Sequence, residues 1–338
     1  MSCVFRYYRD HEIFARNAML KKSILTFVIF SLISSFAIAE PGQKKQQRPH
    51  VKQTKKHVVS HQKHRVKKLN TKQDPFKESY TAEGEPRLAS SKALVMDQST
   101  GEIIYAKNID KLTPIASVTK LMTAMVVLDA QLPMDELLTV TQADVDTLKG
   151  SSSKLPVGSE LTRQELLHMA LMSSENRAAS ALGRYYPGGE TAFISAMNAK
   201  ANALGMSQSH FVDATGLNSH NVSTASDLAL MVRAAYQYPQ IRHVSTTPSQ
   251  EFSLNSYRHP VNFSNTNALL RNNNQKWIIG LSKTGYISEA GRCLVMQAEI
   301  SGKSVVLVFL DSMGKLSRIG DAERIRKWME KEGIKRIG

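Results

Sequence analysis

The sequence predicts an α+β fold in which an antiparallel sheet, flanked by helices, is assembled from the two ends of the folded region. Three observations predict it: two apolar runs around a Gly-bearing turn near residue 100, a train of helical patterns between residues 119 and 236, and strand character returning after residue 276. In chain order, Ala93-Leu94-Val95-Met96 and Ile103-Ile104-Tyr105 flank Gln98-Ser99-Thr100-Gly101 and read as a hairpin. Helices are expected over residues 119–130, 163–183, 190–204 and 226–236. Strands are expected at 277–281, 293–300 and 305–310, the last two joined by the turn Ser301-Gly302-Lys303 and therefore antiparallel. A closing helix over 322–331 turns Ile325, Trp328 and Met329 inward. No internal repeat interrupts this plan.

What precedes the hairpin is of a different kind. The 338 residues carry a formal charge of +15, but residues 1–39 hold +3 and residues 40–72 hold +10, which leaves +2 for the rest. The globular part is near neutral, which argues against nucleic acid as a partner. Lys21-Lys22, the apolar run from Ile24 to Ile33 and the ending Ala37-Ile38-Ala39 have the layout of a cleaved secretory signal peptide, too short for a comfortable membrane span. Met19 offers an alternative start. Residues 40–82, rich in Lys, Gln, His and Arg, lack the apolar surface to fold and read as a disordered basic linker, suited to an anionic wall or membrane surface. Of the two cysteines, Cys3 lies in the leader and Cys293 in an apolar run, so a mature exported chain has neither an intrachain disulfide nor a metal–cysteine cluster. No cofactor or metal is expected.

Chemistry concentrates at three short motifs. Ser-x-x-Lys occurs four times, at Ser60, Ser117, Ser151 and Ser312, but only Ser117 opens an apolar helix. There Ser117 and Lys120 share a face, the helix N-terminus offers backbone N–H groups to the serine oxygen, and a buried lysine has a depressed pKa suited to taking the serine proton. Ser174-Glu175-Asn176 falls where one apolar helix ends and another begins. Lys283-Thr284-Gly285, the only such tripeptide in the chain, closes an apolar strand. Gly285 there lets a substrate backbone approach, while Lys283 and Thr284 supply a charge and a hydroxyl for a carboxylate.

In this order the three motifs resemble the signature of penicillin-binding proteins and serine β-lactamases. More narrowly, residues 89–336 are similar to the low-molecular-mass D-alanyl-D-alanine peptidases, with Phe211-Val212-Asp213-Ala214-Thr215-Gly216-Leu217 among the matching stretches. The resemblance implies a penicillin-binding, β-lactamase-like serine transpeptidase fold, with a mainly helical subdomain at about 121–270 inside a catalytic domain of 83–338. It further implies Ser117 as acylated nucleophile, Lys120 as its base, Ser174 as proton relay to the leaving amine, and Asn176, Lys283, Thr284 and Gly285 as substrate-binding residues. The backbone N–H groups of Ser117 and Tyr286 would form the oxyanion hole.

Substrates of that family are peptidoglycan peptides, and β-lactams are its covalent inhibitors. A class A β-lactamase also needs a general-base Glu after Ser-x-Asn, and no Glu stands between Glu190 and Glu251. Within the family, the block 173–189 resembles the periplasmic endopeptidases that cut D-alanyl–diaminopimelate cross-links. The chain ends about fifty residues after Lys283 without the extra C-terminal domain of many carboxypeptidases. Their arginine near a late strand finds no obvious match, Lys303-Ser304 standing there instead. Both points favour endopeptidase over carboxypeptidase, a non-catalytic wall-peptide binder being the rival of another class.

Overall fold

A computed structural model describes residues 80–81, 84–271 and 276–337, the side chains of 332–337 excepted. The expected signal peptide and nearly all of the basic linker lie outside the described residues. Tyr80 forms an isolated bridge with Pro86.

The chain opens with β1 (Lys92–Asp97) and β2 (Ile103–Lys107), then β3 (Thr113–Pro114), a 3-10 turn (Ala116–Thr119) and α1 (Lys120–Asp129). There follow β4 (Leu137–Thr139), β5 (Glu160–Thr162), α2 (Arg163–Met172), α3 (Asn176–Arg184), α4 (Gly189–Ala203), β6 (Val222–Ser223), α5 (Ala225–Ala235) and α6 (Pro239–Thr246). The last part holds β7 (Ser249–Phe252), β8 (Val261–Ser264), α7 (Ala268–Arg271), β9 (Ile278–Ile287), β10 (Gly291–Ile300), β11 (Lys303–Ser312) and α8 (Ser317–Ile337).

One five-stranded antiparallel sheet runs β2-β1-β11-β10-β9, so the N-terminal hairpin docks on the C-terminal strands through β1 and β11. Alternation explains why its strands read as unbroken apolar runs. Leu94, Met96, Val306, Val308 and Leu310 point into the core shared with α1, while Ala93, Val95, Val305, Leu307 and Phe309 point into a second core closed by Ala322, Ile325 and Met329 of α8. A strand buried on both faces needs no polar side.

The helix at the centre is α1, buried continuously from Lys120 to Val127. Its predicted all-round apolarity is thus that of a core helix, with Lys120 as its one charged buried residue. Thr162 and Thr224 start α2 and α5 by accepting from the N–H of Glu165 and Asp227, at 3.2 and 3.1 Å.

Two expectations need correction. The helical pattern expected over 163–183 is two helices, divided at the Ser174–Asn176 motif where one apolar helix was expected to give way to another: Ser174 takes a left-handed φ of 62° and turns the chain between α2 and α3. Apolar periodicity runs through this point without a Gly or Pro to mark it. The strand expected to stop at Leu281 continues to Ile287, carrying Lys283-Thr284-Gly285 inside β9 rather than at its end. Because β9 is the sheet's outer strand, one row of its backbone groups is free of a strand partner and faces the 3-10 turn that bears Ser117.

Candidate active site

Local backbone geometry sets Ser117. Ala116, directly before it, holds a left-handed φ of 48°, a conformation costly for alanine and kept here by full burial. Two glycines press on this strained peptide. A side chain at Gly216 (φ 80°) would lie 2.0 Å from the Ala116 carbonyl oxygen, and one at Gly285 would lie 3.0 Å from the Ser117 nitrogen. Only glycine fits at 216, a side chain at 285 would be tight against the same peptide, and strand β9 therefore sits directly against the backbone of Ser117.

One turn later Lys120 is wholly buried. Its ammonium nitrogen donates to Ser117 Oγ at 3.0 Å, to Asn176 Oδ1 at 2.7 Å and to the Thr215 carbonyl at 2.7 Å. Burial pushes the Lys120 pKa down to about 7, against the opposing pull of Asp213 and Glu175. A lysine with so low a pKa, in contact with a serine hydroxyl, is chemically able to accept that hydroxyl's proton near neutral pH.

Asn176 is oriented from both ends of its amide, since its Nδ2 donates to Ser151 Oγ at 3.0 Å. Ser174 stands two residues earlier on the left-handed turn, its hydroxyl without a hydrogen bond among the described residues. Lys283 is buried beside Lys120; desolvation first, then the charges of Lys120 and Arg318, hold its pKa well below the usual lysine range. The Lys283 ammonium donates to the Thr284 carbonyl at 3.0 Å, and Thr284 Oγ1 donates to Thr266 Oγ1 at 2.6 Å. Tyr286 presents its side chain to solvent at 57 % exposure.

The structure thus brings Ser117, Lys120 and Asn176 into direct contact and sets Gly285 and Lys283 against them. It also adds residues that sequence reasoning missed. The Thr215 carbonyl holds Lys120 because Asp213 Oδ1 accepts from the N–H groups of Thr215 and Gly216 at 2.6 and 2.5 Å, while Oδ2 accepts from that of Asn218 at 2.8 Å. An Asp three residues before a Gly was the available signal for that turn.

Glu175 is buried, its carboxyl pKa raised by desolvation, and accepts from Ser153 Oγ at 2.6 Å. With the Asn176–Ser151 bond, this fastens loop 146–155 to the start of α3. On its other side the loop reaches the β9–β10 turn through Lys149–Glu289 at 2.5 Å. A cavity of about 170 Å³ lined by Asp146, Leu148, Asn176, Asp213, Thr215 and Leu217 opens beside the centre.

The arginine that the sequence did not supply near a late strand arrives from α8. Arg318 is nine-tenths buried, its Nε lacks a partner, and its charge acts on Lys283. Nothing in the local pattern of an amphipathic helix marks it.

Comparison with known proteins gives a consistent set. A family profile described as D-alanyl-D-alanine carboxypeptidase matches residues 79–314. The D-alanyl-D-alanine endopeptidase of Pseudomonas aeruginosa is 50% identical over 243 residues, 72% of this chain and 78% of its own. That of Escherichia coli is 47% identical over 250 residues, 74% of this chain and 80% of its own. Among solved structures, the Streptomyces K15 DD-transpeptidase superposes with a TM-score of 0.66 at 30% identity, over 72% of this chain and 98% of that one. Penicillin-binding protein D2 from Listeria monocytogenes, in its cefotaxime-bound form, superposes at 0.62 with 30% identity, over 72% and 98%.

Proposed function

We propose, from the premise that this chain belongs to the D-alanyl-D-alanine carboxypeptidase family, that Ser117 is the nucleophile of a serine peptidase opening D-alanyl–diaminopimelate cross-links in peptidoglycan. The observation that carries the assignment is the 3.0 Å contact between Ser117 Oγ and a wholly buried Lys120. The two relatives near half identity, matched over more than three quarters of their length, are named endopeptidases.

In the reaction, Ser117 Oγ attacks the D-alanyl carbonyl carbon and its proton passes to neutral Lys120 Nζ. The carbonyl oxygen becomes an oxyanion held by the N–H groups of Ser117 and Tyr286. Collapse breaks the C–N bond, and the leaving amine takes a proton through the Ser174 hydroxyl, leaving an ester on Ser117. Water, deprotonated by the same lysine, then attacks the ester, frees the D-alanyl carboxylate and restores the serine. Asn176 and the free edge of β9 hold the acyl-side backbone as an added strand. Thr284, Lys283 and Arg318 receive the carboxylate beside the scissile bond. A β-lactam acylates the same serine.

Offered cross-linked dimeric muropeptides and monomeric pentapeptides together, the enzyme is expected to consume the dimers much faster and to yield tetrapeptide monomers, as read by liquid chromatography. Free D-Ala released from pentapeptide at an equal or greater rate would make it a carboxypeptidase with the same serine chemistry.

Export fits this substrate. We assign residues 1–39 as a cleaved signal peptide, 40–82 as a basic linker and 83–338 as the periplasmic catalytic domain, its helical part at about 121–270. No helix among the described residues is long and apolar enough to cross a membrane. Removing residues 40–82 from the mature protein is expected to leave hydrolysis of soluble muropeptide intact. It should weaken co-sedimentation with sacculi at low salt, a difference that higher salt erases. A truncated protein inactive on soluble muropeptide would refute the linker assignment.

A further inference from the structure

The side chains of Tyr286 and Arg292 take no part in the chemistry above. They face each other across the β9–β10 ladder, one residue past Gly285, with the Arg292 guanidinium 4.4 Å from the centre of the Tyr286 ring. On the next strand Ser312 stands opposite Arg292, followed by Met313 at 93 % exposure. Tyr286 and Thr284 lie two apart on β9 and so share a face of the sheet.

This end of the sheet is short of negative charge. Among the described residues Arg292 has no salt bridge, and neither does Arg318. The nearby carboxylates are already engaged: Glu289 with Lys149, and Asp311 with Lys92 at 2.7 Å. Arg318 is nine-tenths buried with its Nε unpartnered. Arg318 feels the charge of Arg292, and neither guanidinium has a carboxylate partner among the described residues. Gathering uncompensated cations is costly, and the cost is tolerated where a ligand brings the counter-charge.

The leaving group of a cross-link brings two. A terminal D-alanine leaves with one carboxylate, next to its amine. A diaminopimelate attacked at its side-chain amide leaves with that carboxylate and also with another at the end of its own stem peptide. Lys283, Thr284 and Arg318 account for the first.

We propose that the Arg292 guanidinium, held over the Tyr286 ring, is a second carboxylate subsite that receives the end of the peptide released from a cross-link. The inference rests on the endopeptidase reading and adds the residue that favours a peptide leaving group over a single amino acid. The cation–π contact restrains the guanidinium, whose N–H groups have no carboxylate partner among the described residues, beside the exposed Tyr286 ring. Contacts this far from the reacting carbon lower the barrier for substrates that reach them.

The test compares wild type with Arg292→Leu on three substrates: dimeric muropeptide with its terminal carboxylate free, the same dimer with that carboxylate amidated, and monomeric pentapeptide. Fluorescent penicillin labelling verifies that Ser117 remains competent, and Arg292→Gln replaces leucine if the latter impairs folding. The dimer-to-pentapeptide ratio of kcat/KM is expected to fall about tenfold, the scale for losing one charge-assisted hydrogen bond, mainly through KM. Wild type should cleave the amidated dimer at that lowered efficiency, and the substitution should cost nothing further on it. Equal losses on dimer and pentapeptide, or a wild type indifferent to amidation, overturns the subsite alone. A wild type that opens no dimers overturns the endopeptidase reading and the subsite with it.

Discussion

Ser117→Ala is expected to abolish both covalent labelling by penicillin and cleavage of cross-linked muropeptides, with kcat falling on the order of 10⁶, the scale for removing a serine nucleophile. The fold should barely notice. Ser117 is half-buried and accepts one hydrogen bond from Lys120, which keeps Asn176 and the Thr215 carbonyl as partners. Loss of one hydroxyl without a cavity keeps stability within about 1 kcal/mol. Intact-mass spectrometry after incubation with penicillin decides the matter. A surviving adduct mapped to Ser60, Ser151 or Ser312, the other Ser-x-x-Lys serines, would move the nucleophile.

Replacing Lys120, the proposed base, is the second large effect. Lys120→Met keeps the length and volume of the buried chain and removes its amine; acylation is expected to fall about 10²–10⁴-fold, the usual range for a general base. The melting temperature should drop as well, because Asn176 Oδ1 and the Thr215 carbonyl lose their donor, about 1–3 kcal/mol for buried acceptors left unpaired.

Wild type supplies the matching pH signature. Only the neutral amine can accept the serine proton, and burial places the Lys120 pKa at about 7. Acylation should therefore rise about tenfold per pH unit below 7 and level off above it. The same shift makes folding pH-dependent. Between pH 7 and the ordinary lysine range the unfolded chain binds a proton that the folded chain does not, so stability contributed through this group rises with pH across that window. Stopped-flow acylation from pH 5 to 9 reads the first effect. An acylation limb near 7 that persists in Lys120→Met would assign the base to another group.

The legible parts of this molecule are those fixed by short covalent spacing. Ser117 and Lys120 are three apart on an apolar run, so their contact follows from helix geometry once the run is read as helix. The all-round apolarity of α1 likewise gives its central burial, and the doubly apolar runs of β1 and β11 give a sheet covered on both faces. The helix junction at Ser174 was marked by its motif, but not the left-handed backbone there, because a serine held in that region by surrounding packing looks like any polar residue in a helical pattern. Nor was the length of β9, since Lys-Thr-Gly breaks the alternation that marks a strand. Thr215 acts through its carbonyl, which every residue possesses. Arg318 reaches Lys283 only after the chain has returned along β11 into α8, a long-range closure that no local period encodes.

The glycine pair packed on the Ala116–Ser117 peptide has a consequence for how this protein can evolve under antibiotic pressure. A side chain at Gly216 would run into the Ala116 carbonyl and displace the peptide that carries Ser117, the proposed nucleophile, while one at Gly285 would crowd the same peptide. Inherited changes that weaken drug acylation while sparing cross-link cleavage therefore have no route through these positions. Variation is left to surfaces farther from this peptide, such as loop 146–155 with its Lys149–Glu289 tie and the Arg292–Tyr286 contact.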